Sequence, residues 1–188
     1  MQPPPEASVR CSPDHRSGSA PPAGGALGSS PLPPPGDDDH IRGEGTLVIE
    51  YSDLQCPWCA HTDALLRDLP VRRVLRHFPV ASKHPRAKAL AHAAEAAALQ
   101  GRFWEMHDSV LADPARIDDP HLWERCRELG LDLDRFQADR RSEGVAARVA
   151  RDFRSGIRAG VVSTPTLFVD AAAYPGVPGP ELLDRLSQ

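Results

Sequence analysis

Apolar and polar positions along the chain change period several times. Thr46 to Tyr51 is β-branched and apolar behind Gly43 and Gly45, and it predicts a buried strand. A helix is predicted from Pro57 to about Leu69, where Pro70 stops it. Val71 to Phe78 reads as a second strand, despite its arginines, with Pro79 as its end. Pro85 to Gln100 is Ala-rich, favours helix and is closed by Gly101. Phe103, Met106, His107, Val110 and Leu111 follow helical spacing until Asp113-Pro114. Asp119-Pro120 supplies an N-cap and a first-turn proline for a helix whose apolar stripe is Leu122, Cys126 and Leu129, with Gly130 as its stop. Leu133 and Phe136 suggest a short helix. Val145, Val149, Phe153 and Ile157 recur every four residues beside Ala146 and Ala150, the pattern of a long amphipathic helix ending near Gly160. Thr166 to Val169 is a strand, and Pro180 to Leu186 fits a last helix. Strand, helix, strand, several helices, strand, helix is the order of an α/β core with a helical insertion.

Composition narrows this to one domain. The chain has 188 residues, and ten of its 20 prolines fall in the first 42. That stretch has few bulky apolar side chains to offset its ordering entropy, so residues 1–42 are expected to be a disordered tail, with the globular part at 43–188 and the helical insertion at about 84–142. A formal charge of −4 argues against nucleic-acid binding. The arginines, spread along the chain, read as a solvated surface. No apolar run approaches the ~20 residues of a membrane span. The first residues lack a basic n-region and an apolar h-region, so no signal peptide is read and a cytoplasmic location is expected.

The candidate chemistry is Cys56-Pro57-Trp58-Cys59, directly after the first strand. Such a pair can be redox-active, half of a zinc site, or accidental. Zinc would need two more ligands, usually a second close pair, and none follows. His77, His84, His92 and His107 show no metal-ligand spacing, so no metal and no cofactor are expected. The strand–CxxC–helix context favours redox chemistry. A helix starting at Pro57 puts Cys56 at its exposed N-terminal end, where unsatisfied N–H groups favour a thiolate, with Cys59 within reach. Thr164-Pro165 before the last strand is either a plain strand start or a cis bond packed against the dithiol. Cys126 reads as a small core hydrophobe, Cys11 as incidental, and Trp104 and Trp123 as core.

Several motifs, in order, resemble those of the DsbA-like family of bacterial thioredoxin-fold oxidoreductases. Within it they are most similar to the branch appended to some sodium/proton antiporters. They are Asp39-His40-Ile41-Arg42-Gly43, Glu50-Tyr51-Ser52-Asp53 leading into the dithiol, Arg76-His77-Phe78-Pro79, His84-Pro85, Gly101 to Asp108, Leu129-Gly130-Leu131-Asp132 and Ser163-Thr164-Pro165-Thr166. The resemblance covers residues 39–188. It implies a thioredoxin fold interrupted by a helical domain, Cys56 as attacking thiol and Cys59 as resolving thiol. It also implies a cis Pro165 facing them, with Thr164 offering backbone hydrogen bonds to an extended substrate. Glu50 stands where the family carries a buried acid that could exchange a proton with Cys59 through water, and burial should raise its pKa. Read without the resemblance, Glu50 is a surface residue at a strand end. Trp58, between the cysteines and expected to be exposed, is a candidate substrate contact together with Pro57.

Two departures bear on the substrate groove: Ser163 stands where the family commonly has Gly, and Asp170-Ala171-Ala172-Ala173 where the hairpin commonly has Asn-Gly. The expected function is thiol–disulfide exchange, with protein or small-molecule thiols and disulfides and an unidentified redox partner as its reactants. Two other classes stay open. One is a glutathione-dependent transferase or isomerase of the same fold, against which the intact pair argues. The other is a non-catalytic redox sensor.

Overall fold

The computed structural model describes residues 30–188. Five strands form one sheet: β1 (His40–Arg42), β2 (Thr46–Ser52), β3 (Val71–His77), β4 (Thr166–Val169) and β5 (Ala172–Pro175). Their order is β1-β3-β2-β4-β5, with β2 and β3 parallel and the other neighbours antiparallel. The parallel pair needs a crossover, supplied by α1 (Pro57–Leu66). Four helices follow β3: α2 (Ala87–Ala98), α3 (Phe103–Ala112), α4 (Asp119–Glu128) and α5 (Leu133–Asp139). The long α6 (Glu143–Arg158) returns the chain to the sheet, and α7 (Pro180–Leu186) closes it. This is the expected α/β architecture, a thioredoxin fold with a helical insertion.

Strand alternation divides the core. Val48 and Leu167 point to one face, where Leu66 of α1 and Leu182 and Leu186 of α7 cover them. Ile49, Tyr51, Val74 and Phe168 point to the other face and meet Phe78, Val161 and Phe153 of α6. There α6 comes very close: a Cβ on Gly156 would lie 2.7 Å from the Phe78 ring and 2.9 Å from the Tyr51 ring. The inserted helices pack around Leu90, Ala94, Met106, Leu122, Cys126 and Phe136, and this cluster also takes in Leu54 and Leu75. The insertion therefore shares its core with the sheet and with the loop that leads to the dithiol.

Three expectations need correction. The boundary of the tail at residue 42 is too late. His40–Arg42 pairs with β3 as an edge strand, Arg76 donates to the Pro33 and Pro34 carbonyls at 2.9 Å each, and Leu32 packs on the α6-side cluster. Proline lacks an N–H but keeps its carbonyl, and the buried Arg76 guanidinium uses it. Residues 1–29 of the expected tail, Cys11 among them, lie outside the described residues. Secondly, arginine is not confined to a solvated surface here, since Arg73, Arg76 and Arg125 are buried. Thirdly, the first helix ends at Leu66 rather than near Leu69. The β4–β5 hairpin closes without Asn-Gly, with Asp170 and Ala171 themselves adopting φ of 49° and 63°. Among the described residues no helix is long and apolar enough to cross a membrane.

Candidate active site

Residue 56 is the N-cap of α1 and residue 59 lies one turn inside it. The helix has no side-chain cap, Pro57 at its first position has no N–H, and the Cys59 amide N–H donates to the Cys56 carbonyl at 3.0 Å. A hydrogen bond from the Cys59 thiol is the largest influence on Cys56; burial opposes it, and the Cys59 amide, the Thr164 side chain and the Trp58 amide reinforce it. Together they lower the Cys56 thiol to about 5. Cys59 is driven the other way, above the ordinary thiol range. Burial is the main cause, because Cys59 has no exposed surface, and the bond to Cys56 and the negative charge of Glu50 add to it. The Asp53 amide N–H, 3.4 Å from the Cys59 sulfur, pulls weakly against this. Cys56 is only 4% exposed, so the expected exposed end is covered, and the arrangement holds one thiolate at the helix terminus and one protonated thiol beneath it. Both cysteines are free thiols, as is Cys126, which is buried in the insertion and pushed up to about 11 by that burial.

The other expected residues gather around this pair. Trp58 is 64% exposed, and Pro57 beside it is also exposed. The Thr164–Pro165 peptide bond is cis, and the Thr164 carbonyl lies 3.6 Å from the Cys56 sulfur. The Ser163 carbonyl accepts from the Thr166 hydroxyl at 2.7 Å, which folds the loop where Gly was expected.

Glu50 is fully buried on the α1 side of the sheet, so the surface reading of it fails. A buried cation, which the sequence reading did not foresee, stands beside it. Arg73 reaches one oxygen, Oε2, through Nε at 2.8 Å and Nη2 at 2.7 Å. Register explains the meeting: Val48 pairs with Arg73 and Glu50 with Leu75, so both side chains emerge on the same face, one step apart. The second oxygen, Oε1, is buried with no protein partner. Arg73 also donates to Asp63 of α1, which in turn receives Arg42 at 3.0 Å and Arg67 at 2.6 Å. Arg42 continues to Asp108, and Asp108 to His107 at 2.7 Å. A chain of alternating charges thus runs from beneath Cys59 into the helical insertion.

Three functional candidates escaped the sequence reading. Arg73 looked like a surface residue. Asp53 is buried and accepts from the amides of Gln55 at 2.9 Å and Val80 at 2.8 Å, and contacts His84 Nδ1 at 2.8 Å. His84 thereby ties the loop after β3 to the residue whose amide touches Cys59. The motif text Ser52-Asp53 and His84-Pro85 was the only signal, and it did not reveal that the two meet.

Comparison with known proteins agrees with this fold. The profile of the DSBA-like thioredoxin domain matches residues 73–188, beginning within β3, so the dithiol lies outside the matched span. An antiporter of Salinispora tropica, "Na(+)/H(+) antiporter NhaA 3", is 42% identical over 151 residues, 74% of this chain. The chain spans about a quarter of that relative's length, 23%. Among solved structures, a thioredoxin-like oxidoreductase from Silicibacter pomeroyi superposes with a TM-score of 0.72 at 25% identity, covering 80% of this chain and 91% of that one. The thiol-disulfide exchange protein alpha-DsbA2 of Wolbachia pipientis shares the fold, with a TM-score of 0.68 at 15% identity, covering 77% and 83%.

Proposed function

The chain belongs to the DsbA-like thioredoxin domain family, and from that premise we propose that it exchanges disulfides through Cys56 and Cys59. The family and fold are those of thiol–disulfide oxidoreductases in general. The observation that carries the specific reading is the opposite displacement of two thiols one helical turn apart.

In the reducing direction the Cys56 thiolate attacks one sulfur of a substrate disulfide, and the other substrate sulfur leaves with the electron pair. The product is a mixed disulfide at Cys56. Cys59 must then lose its proton. The unpartnered Glu50 Oε1 is a base for it, directly or through one water, with Arg73 holding the other oxygen. The Cys59 thiolate attacks the Cys56 sulfur, closing the disulfide and releasing the second substrate thiolate. In the oxidising direction a substrate thiolate attacks the Cys56 sulfur of the closed pair, and Cys59 leaves and takes up the proton. Pro57 and Trp58 form one wall for the substrate. Thr164 and Pro165 form the other, with the Thr164 backbone available to an extended segment.

Cys56→Ser is expected to abolish both insulin reduction and dithiol oxidation, and Cys59→Ser to accumulate mixed disulfides. Activity of the Cys56→Ser protein at the wild-type level overturns the assignment. Direction follows from the reduction potential of the pair against its compartment: a reducing cytosol selects reductase or isomerase work, an oxidising space selects oxidation.

A further inference from the structure

A second cluster lies apart from the dithiol, where β1, the end of β3 and α2 meet. His40 Nε2 stands 2.8 Å and His77 Nε2 3.0 Å from the same oxygen, Oε1 of Glu95. The three donor atoms all lie within 4.8 Å of one another. His77 and Glu95 are buried, and His40 keeps some exposure. Phe103 fixes both rings: it stacks on His40 with centroids 3.4 Å apart and meets His77 edge-on at 5.8 Å. We propose that His40, His77 and Glu95 form a three-ligand site for a divalent transition metal of the zinc class, which clasps the edge strand to the helical insertion.

The donor set suits zinc: two imidazole nitrogens and one carboxylate, with a position left for water on the open side of His40. Ligands at zinc distances of 2.0–2.1 Å in a tetrahedron sit about 3.3 Å apart. The two His–Glu separations are therefore a few tenths of an ångström short of chelating geometry. Binding forms two N–Zn bonds and one O–Zn bond. In the metal-free cluster each Nε2–H donates to the Glu95 carboxylate, so each N–Zn bond forms as that proton moves to Nδ1 of the same ring, or to solvent where Nδ1 is already protonated; the carboxylate is already ionised, and water is the only proton acceptor needed.

Charge distinguishes this cluster from the other one among the described residues. Asp63, His107 and Asp108 also converge. There Arg42, Arg67 and Arg73 already occupy the Asp63 oxygens, and a cation would meet three guanidinium groups. At Glu95 the guanidinium in contact is Arg148, whose Nε is 3.5 Å away. Arg148 has a closer carboxylate in Asp152, at 2.6 Å, and can stay there when a metal takes Glu95.

The test uses the full chain carrying Cys11→Ser, Cys56→Ser and Cys59→Ser, so that these three thiols cannot bind metal. Zinc competition against a chromophoric chelator is expected to show one equivalent bound. His40→Ala and Glu95→Gln, each checked for fold by circular dichroism, are expected to weaken binding more than the roughly 10–100-fold typical of losing an outer-shell partner. Cobalt(II) loading of the same triple-serine chain, whose remaining Cys126 is buried in the insertion, is expected to give visible bands of a tetrahedral nitrogen–oxygen site without a thiolate charge-transfer band, and needs no change at the ligands. No zinc uptake, or uptake equally tight in His40→Ala and Glu95→Gln, overturns the site.

Discussion

The thiolate at Cys56 is the sharpest quantity the structure supplies. Its thiol is lowered from 9.0 to about 5. At pH 7 a native group with that value is ionised while the unfolded thiol is protonated, a difference of about two pH units or roughly 3 kcal/mol in favour of the reduced native state. Because the folded value is depressed, this contribution is complete above the unfolded thiol's pKa and disappears as pH falls through about 5. The disulfide form has no thiolate to stabilise. The same roughly 3 kcal/mol therefore makes the pair about 60 mV more oxidising at pH 7 than one with an ordinary first thiol. The measurement is the pH dependence of iodoacetamide alkylation in a Cys11→Ser background, followed by thiolate ultraviolet absorbance. Buried Cys126 stays silent at these pH values, being pushed up to about 11. A midpoint near 5 is expected. In Cys59→Ala, which removes the leading hydrogen bond, the midpoint should rise by one to two pH units, the ~1.5–3 kcal/mol of a bond to a charged group. A wild-type midpoint near 8 or 9, or an unmoved midpoint in Cys59→Ala, refutes this account of the thiolate.

Other expectations concern what holds the site. Arg73→Met leaves the buried Glu50 without its partner, while Asp63 keeps Arg42 and Arg67, and should cost about 3–5 kcal/mol in urea unfolding. Adding Glu50→Gln should recover part of it, and a double variant no more stable than the single one would contradict the pairing. Ala171→Gly should stabilise by up to ~1 kcal/mol, because a left-handed L-residue costs about 1–2 kcal/mol and glycine returns some of that as entropy; a lowered Tm counts against it. Gly156→Ala sets a helix-propensity gain of ~1 kcal/mol against an overpacking cost of about 1–3 kcal/mol at Phe78 and Tyr51. A net loss is expected, and unchanged or increased stability would show that α6 can move off the sheet.

Periodicity carried most of the fold. The buried strand at Thr46, the Ala-rich α2 and the four-residue repeat of α6 all have faces wide enough to read from one chain. β1 did not, because three residues, His-Ile-Arg, carry no period; pairing with β3 makes them a strand. β5 is Ala-Ala-Tyr-Pro, weak in strand propensity and held by β4 alone. The site divided in the same way. Cys56 and Cys59 were visible by their spacing and Glu50 through its place in a motif. Arg73 was hidden because an arginine inside a strand looks the same whether it faces water or a carboxylate. Only the β2–β3 register, which sets Val48 against Arg73, decides which. The Asp53–His84 contact and the convergence of His40, His77 and Glu95 depend in the same way on how separate elements close upon each other.

The two cysteines share a side chain and a helix, yet nearly everything that separates them acts on one and spares the other. Cys56 is governed by groups at the N-terminal end of α1: the thiol below it first, then the Cys59 amide, the Thr164 side chain and the Trp58 amide. Cys59 is governed by burial and by Glu50, whose charge is shared with Arg73 and Asp63. Changes at Pro57 or Trp58 should therefore alter the rate of the first attack while leaving release of the mixed disulfide intact. Changes at Glu50 or Arg73 should slow release and leave the alkylation midpoint of Cys56 near its wild-type value. If Glu50→Gln shifted the Cys56 midpoint as far as Cys59→Ala does, the two thiols would be one electrostatic unit, and the division of labour between the helix end and the buried charge chain would be wrong.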